Sequence, residues 1–488
     1  MRRRWLSLLA PLAPWLAGVG CAVGPDFHRP AAPVERAYTP EAAGSTAVAD
    51  GKSQRFVEGQ TIEGDWWRIL RSPALDAIVS RVLANNPGLD AARATLRESQ
   101  DNLRAGYGVY FPQVDARAGA SRQLYNPAPG SLPSNTFNLF TLSGTVSYDI
   151  DLWGGQRRQV EALGAAVDGQ RYALDAAYVM LATNAIDAIV AQAAYRAEIE
   201  ATKATLALLR EQVRIANAQA TGGTVPYANV LSLQSQVAST EATLPALEAK
   251  IDQAADLLAA LSGTTPAGWS LPALTLSDLK LPEDLPLTLP SQLVRQRPDV
   301  LVAEANLHAA NATIGVATAA MLPNLTLSAG FGVNSTTIGS LFGSASPFWS
   351  LGAGLTQPLF HGGALYYHRR ATIDARDAAA AQYRQTVLAA FEQVADALRG
   401  LGHDADALVA ETEAVETAEK AIRLIQANYQ AGIATYLQVL VANTQYLQAQ
   451  IGYVEGVAQR LQDTVALYVA LGGGWWNAPG VTRGSTHG

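Results

Sequence analysis

The chain is written twice, and that duplication limits the folds open to it. Asn86-Pro87 recurs as Arg297-Pro298, and Phe111-Pro112-Gln113-Val114 recurs as Leu322-Pro323-Asn324-Leu325, both 211 residues on. Leu152-Trp153-Gly154-Gly155 returns as Phe360-His361-Gly362-Gly363. Gly223, Tyr227, Val230, Leu231 and Gln236 match Gly432, Tyr436, Val439, Leu440 and Gln445 at a shared offset of 209. Solenoid repeats run to about 20–50 residues, so this is one duplicated domain. Its order is helix, strand pair, very long helix, turn, long helix. Residues 71–262 form the first copy and 291–472 the second, joined by a linker at 263–290. Residues 21–70 precede them as an extended segment, and 473–488 follow as a tail.

The strand pairs alternate with period two. Leu325, Leu327, Ala329, Phe331 and Val333 share one face, against Asn324, Thr326, Ser328, Gly330 and Gly332. Trp349, Leu351, Ala353 and Leu355 oppose Ser350, Gly352, Gly354 and Thr356; Phe140, Leu142, Val146, Tyr148 and Ile150 oppose Thr141, Ser143, Thr145, Ser147 and Asp149. A weaker fourth run begins at Val114. The expected strands are 113–121, 139–150, 324–333 and 348–357, each near the ten residues that a tilted strand needs to cross a membrane. Loops rich in Pro, Gly and Ser, Asn126–Asn135 and Asn334–Ser346, separate the members of each pair. A half-buried soluble sheet alternates in the same way. Two features favour the membrane: inner faces of Ser, Thr and Gly, and aromatics near the strand ends (Tyr110, Phe111, Trp153 and Phe360; Phe137, Phe342, Phe348 and Trp349). Four strands cannot close a barrel, and an open edge in hydrocarbon leaves N–H and C=O groups unpaired at several kcal/mol each. Copies must therefore share one barrel. Two copies give eight strands and a plugged interior, three give twelve and a channel, and the polar inner face favours the channel.

After Gly154-Gly155 the sequence reaches about Ala220 without an internal proline, and Gly362-Gly363 opens a similar run to about Gln430. A helix of about 65 residues spans on the order of 100 Å. Each run reverses at a glycine-marked turn and returns as Tyr227–Leu261 or Tyr436–Leu471. Ala, Gln and Asn spread around these helices suit a curved wall with two polar surfaces better than a solid bundle core. Pro112 and Pro323 before the strands, with Gly154, Gly155, Gly362 and Gly363 after them, mark the junctions between helix and barrel.

Residues 1–20 read as an export signal: Arg2, Arg3 and Arg4, then an apolar run from Trp5 to Val19 that is too short to span a bilayer. The only cysteine, Cys21, follows. Its position resembles a bacterial lipobox, with Gly20 fitting and Gly18 departing from the usual leucine, so a covalent lipid is expected there. No later run of about 18 consecutive apolar residues suggests a transmembrane helix. The net charge of −7, or −10 without the three leading arginines, argues against a nucleic-acid partner. The six histidines show no tight ligand spacing, and no catalytic elbow or phosphate-cradling glycine loop is present. Neither a metal, a non-covalent cofactor nor an enzymatic activity is expected.

Several motifs, in order on this repeat, resemble the outer membrane factor family of TolC-like channels, most nearly its NodT/OprM-like lipoprotein branch. They are Cys21-Ala22-Val23-Gly24-Pro25-Asp26-Phe27, Asp65-Trp66-Trp67, Arg297-Pro298-Asp299-Val300, Pro358-Leu359-Phe360-His361-Gly362-Gly363, the run Phe391–Leu398, and the closing Ala470-Leu471-Gly472-Gly473-Gly474-Trp475. The resemblance implies an α+β membrane protein, each chain a tandem structural repeat. It implies a homotrimer whose twelve-stranded outer-membrane β-barrel continues into a twelve-helix periplasmic α-barrel in a Gram-negative bacterium. Such a trimer docks a periplasmic adaptor protein and an inner-membrane efflux pump, usually of the resistance–nodulation–division class. Ala22 after the cysteine resembles outer-membrane sorting. Gly223 and Gly432 match the tips at which relatives meet the adaptor. Where better-known relatives carry gate aspartates, this chain has Asn229, Gln438 and Val441, with Leu437 one turn before Val441. That implies a gate closed by amide hydrogen bonds and dewetting rather than by carboxylates. A passive porin and a non-conducting scaffold lipoprotein are the competing readings; the first has no use for helices of about 100 Å, the second none for a Ser/Thr/Gly lumen.

Overall fold

The computed structural model describes residues 22–35, 37–40, 44–125, 135–270, 272 and 274–477. The signal, Cys21, most of the loop at 126–134 and the end of the tail lie outside them. The strands are β1 (Arg55–Glu58), β2 (Gln113–Tyr125), β3 (Asn135–Ile150), β4 (Asp284–Leu287), β5 (Asn324–Ser335) and β6 (Pro347–Thr356). The helices are α1 (Pro73–Asn85), α2 (Pro87–Gly106), α3 (Gly155–Thr221), α4 (Tyr227–Glu241), α5 (Leu244–Leu261), α6 (Pro290–Gln296), α7 (Pro298–Ala319), α8 (Ala364–Gln430) and α9 (Tyr436–Ala470). Two compact units arise, each discontinuous in sequence.

The first unit, residues 1–30, 95–170 and 303–383, holds a four-stranded antiparallel sheet in the order β2-β3-β5-β6. Its register puts Ala118, Leu142 and Val333 side by side, and next to them Arg117, Ser143 and Gly332. Partners directly opposite one another share a face, so the apolar and the Ser/Thr/Gly residues each form one continuous surface across all four strands. β2 and β3 extend further than the alternation suggested. Phe348 pairs with Gly332 and so lies on the polar face, not in the apolar girdle.

The second unit, residues 31–94, 171–302 and 384–488, is mainly helical. α3 and α8 each run for 67 residues, about 100 Å of helix. α3 includes an 18-residue stretch of mean hydropathy 1.4, half buried in the fold. Polar residues interrupt the stretch, so it is not an unbroken apolar run. The return helix expected from Tyr227 to Leu261 is broken: α4 stops at Glu241 and α5 starts at Leu244. Pro245 has no N–H to offer the carbonyl one turn back, and its ring crowds that turn. No proline falls inside α9, and it is continuous. The linker and the N-terminal extended segment meet in a parallel two-stranded sheet, Arg55 opposite Asp284 and Glu58 opposite Leu287. Trp66 and Trp67 are buried; Trp66 stacks on Tyr468, and the Trp67 indole donates to Asp76 at 2.9 Å.

Candidate functional site

One face of the first unit's sheet leaves large apolar side chains uncovered. Leu351 and Trp349 are about 80% exposed, and Val114, Phe331 and Leu355 are exposed on the same surface. The Phe331 ring lies over Gly144, where a Cβ would come within 2.7 Å of it. At the end where β3 and β6 leave the sheet, Phe111, Leu359 and Phe360 are exposed; at the other end Ile338 and Phe342 are. An apolar band flanked by aromatics belongs in hydrocarbon. Trp153 is different: half-buried, it donates from its indole to the Pro323 carbonyl at 2.8 Å and pins the junction. The opposite face is mostly Ser, Thr and Gly, with Asp115 and Arg117 on β2 and Phe348 on β6; on it Asp149 accepts from Thr326 at 2.5 Å.

The outer edges of β2 and β6 have no partner strand in the described residues. Because four strands alternate in direction, these two edges run oppositely. A copy added head to tail would therefore meet β6 with β2 in antiparallel register, and the ring can close without a parallel pair.

The junction residues divide by role. Gly154 has φ 75°, and a Cβ there would lie 2.6 Å from the Cα of Ala22. Gly155 opens α3, whose first amides at Gln156 and Arg157 donate to the Asp151 carboxylate at 3.3 and 3.1 Å, a negative group where a helix N-terminus favours one. Gly362 and Gly363 both have positive φ, 58° and 85°, and turn the chain into α8. Pro112 and Pro323 stand just before β2 and β5.

The segment after Cys21 is fastened to the same unit. Val23 donates its N–H to the Trp153 carbonyl at 2.8 Å. The buried guanidinium of Arg158 donates to Asp26 at 2.5 Å and to Glu161 at 2.7 Å, and Arg158 holds the exposed Asp26 carboxyl below its ordinary range. Phe27 stacks on His308 with centroids 4.3 Å apart, and Arg29 pairs with Glu304 at 2.6 Å.

In the second unit, the two tip turns are the same device. After α3, Thr224 N–H donates to Gln219 and Gly223 N–H to Ala220; after α8, Ile433 N–H donates to Asn428 and Gly432 N–H to Tyr429. These are paired Schellman bonds around a left-handed residue. Both glycines have φ 73°, and no atom lies within 4 Å of a Cβ built on either. Backbone conformation, not crowding, asks for glycine.

The gate positions separate. Leu437 and Val441 are about half exposed, and Asn229 is partly buried in the first turn of α4. Gln438 is engaged in capping its own helix. Its Oε1 accepts from Thr435 N–H at 2.8 Å and from the Thr435 hydroxyl at 3.2 Å, while its own N–H donates to Thr435 Oγ1 at 3.4 Å. The Thr-x-x-Gln spacing is the signal that would have found this box. Among this unit's described residues two arginines are buried: Arg297, which the sequence marks only as part of a motif, and Arg460, which it does not mark. Arg297 donates to Asp299 through Nε at 3.0 Å and through its second terminal nitrogen at 2.7 Å, to Gln393 at 2.7 Å and to the Ala470 carbonyl at 2.8 Å. Arg460 donates to Gln54, Thr46 and the carbonyls of Ala49 and Lys52 at 3.1–3.4 Å.

A lipid-facing sheet that needs further copies, joined in sequence to helices of about 100 Å, defines an outer-membrane channel protein. The chain belongs to the outer membrane efflux protein family, which it matches over residues 78–264 and 289–473. It is similar to the pyoverdine export outer membrane protein OpmQ of Pseudomonas putida, 30% identical over 445 residues, covering 90% of this chain and 94% of that protein. The cation efflux system protein CusC of Escherichia coli is 27% identical over 479 residues, covering 96% and 98%. Among solved structures, the outer-membrane channel OprN superposes with a TM-score of 0.85 at 26% identity, over 93% of this chain and all of that one. The family is one of transport channels, not of enzymes.

Proposed function

We propose that three copies close one twelve-stranded barrel in the outer membrane and that the assembly is the exit duct of a tripartite efflux machine. An inner-membrane pump, reached through a periplasmic adaptor, supplies the energy. The observation that carries this reading is the open sheet: apolar on one face, Ser/Thr/Gly on the other, with free edges that run in opposite directions. In this reading the chain conducts and does no bond chemistry, and its only covalent addition is lipid on Cys21. Ala22, which follows that cysteine, packs against Gly154 at the end of the strand sheet, so acyl chains on its neighbour would enter the bilayer beside the barrel. Gly223 and Gly432 serve as docking tips, where open space and a bare backbone favour close approach of a helical hairpin. The gate rests on Leu437 and Val441 with Asn229, since Gln438 is committed to its capping box. Relatives are named for pyoverdine, cation and toluene export, so the selection of cargo is assigned to the pump.

The test is a deletion strain complemented with variants that leave the turns intact. Ile433→Asp, at a tip residue 75% exposed, should abolish rescue of efflux while the protein still reaches the outer membrane. Wild-type rescue by that variant would remove the tip from the docking surface.

A further inference from the structure

Within the second unit, α3, α5, α8 and α9 line an open cavity of about 480 Å³. Its charged lining is lopsided: Glu198, Asp404, Glu411 and Glu455 against Lys250 alone. Lys250 lies with its Nζ 4.9 Å from the centre of the Tyr195 ring. Glu198 is only 7% exposed, and its carboxylate has no hydrogen bond or ion pair among the described residues. One oxygen each of Asp404 and Glu411 is buried without a partner. Carboxylates accept and cannot donate, so neighbouring carboxylates cannot satisfy one another while ionised. Burial and the neighbouring Glu455 both push the Glu198 and Glu411 carboxyls above their ordinary range, with Lys250 opposing at Glu198.

The Glu411 carboxylate lies against α9 at Gly456. A Cβ on Gly456 would stand 2.0 Å from Glu411 Oε2, so the carboxylate occupies the place of a side chain. An alanine at 456 would favour the helix but would push the Glu411 carboxylate out of its present place. No three ligating groups among the described residues are grouped to hold a metal ion, and the cavity is far larger than a shell of oxygens at about 2.4 Å. The rest of the lining includes the methyls of Ala191, Ala194, Ala407 and Ala458.

We propose that this cavity binds an organic polyamine: spaced ammonium groups donate to Glu198, Glu411, Glu455 and Asp404, and the methylene chain lies against the alanines. The cation bridges four helices whose acidic groups otherwise face one another across the cavity. The inference is independent of the docking and gate assignments above.

The test is calorimetric titration of the full-length protein in mild detergent, at low ionic strength, with spermidine. Saturable binding is expected. Glu198→Gln keeps the shape, removes a buried charge and should weaken binding at least tenfold. Gly456→Ala should weaken it as well, because its methyl displaces the Glu411 carboxylate while favouring the helix. Glu416→Gln, on an exposed part of α8 where Glu416 pairs with Lys420, should leave binding unchanged. Absence of saturable binding, equal affinity in Glu198→Gln, or displacement of spermidine by an equal concentration of magnesium would overturn the proposal.

Discussion

The two repeats close their return helices with the same contact and different chemistry. In the first, Asn86 donates from its amide to the Leu261 carbonyl at 2.7 Å, and its Oδ1 accepts the Leu89 N–H at 3.1 Å. In the second, Arg297 donates to the Ala470 carbonyl at 2.8 Å. Leu261 and Ala470 are 209 residues apart, the offset of the tip turns. Glycines follow both helix ends, Gly263 with φ 69° and Gly472 with φ 102°. The neutral side chain serves one helix end and caps α2. The buried guanidinium gathers three elements, through Asp299, Gln393 and Ala470. Duplication preserved the job of stopping a long helix, while the second copy also became a hub. The return helices differ in the same direction: α9 is unbroken and capped, whereas α4 and α5 are separated at Pro245 and Pro226 gives α4 no side-chain cap.

The repeats should therefore respond unequally to equivalent changes. Arg297→Ala should show the largest loss, about 2–3 kcal/mol, because it removes several charge-assisted hydrogen bonds and leaves the buried Ala470 carbonyl without its donor. Asn86→Ala removes a cap and one neutral bond and should cost about 1–2 kcal/mol. Denaturation of the two purified variants side by side measures both, and equal losses would erase the distinction. Next comes Thr435→Ala, which removes the α9 capping box at about 1 kcal/mol. Faster amide exchange is expected in the first turn of α9, with α4 unaffected.

The smallest effect is one of pH. Asp404 is pushed up to about 7, first by burial and then by its hydrogen bond to Asp463, with Glu411 adding repulsion and Arg460 opposing. Asp187, under burial and the Asp463 charge, rises to about 6. In an unfolded chain such carboxyls ionise near 4. Their folded values are raised, so the stability they contribute is complete below about pH 4 and is lost as pH rises through about 7. In the second repeat the acidic pair is Asp404 and Asp463; position 254, which corresponds to Asp463, is alanine. Asp404→Asn should flatten the decline in melting temperature between pH 4 and 7. An unchanged slope would place the titrating group elsewhere.

Local rules made much of this architecture readable. Period-two alternation in Leu325–Val333 and Trp349–Leu355 located the spanning strands and their faces, and glycine after a proline-free run located the tips. What escaped was long-range or small. β1 and β4 pair across more than two hundred residues, and neither four-residue strand carries a pattern of its own. Pro245 was visible, but one proline inside a strongly helical stretch was outweighed by its surroundings. The Thr435/Gln438 box is legible in its Thr-x-x-Gln spacing, although the place of Gln438 near the tip also suits a gate residue. For Arg297 and Arg460, burial and partners depend on helices brought together only in the fold.

The central claim is that the sheet is completed by two further copies. The native mass of the protein purified from outer membranes in mild detergent tests it most directly. The account predicts a particle with three chains, each 51.5 kDa less its signal. A stable single chain that keeps its strand content in detergent would contradict it.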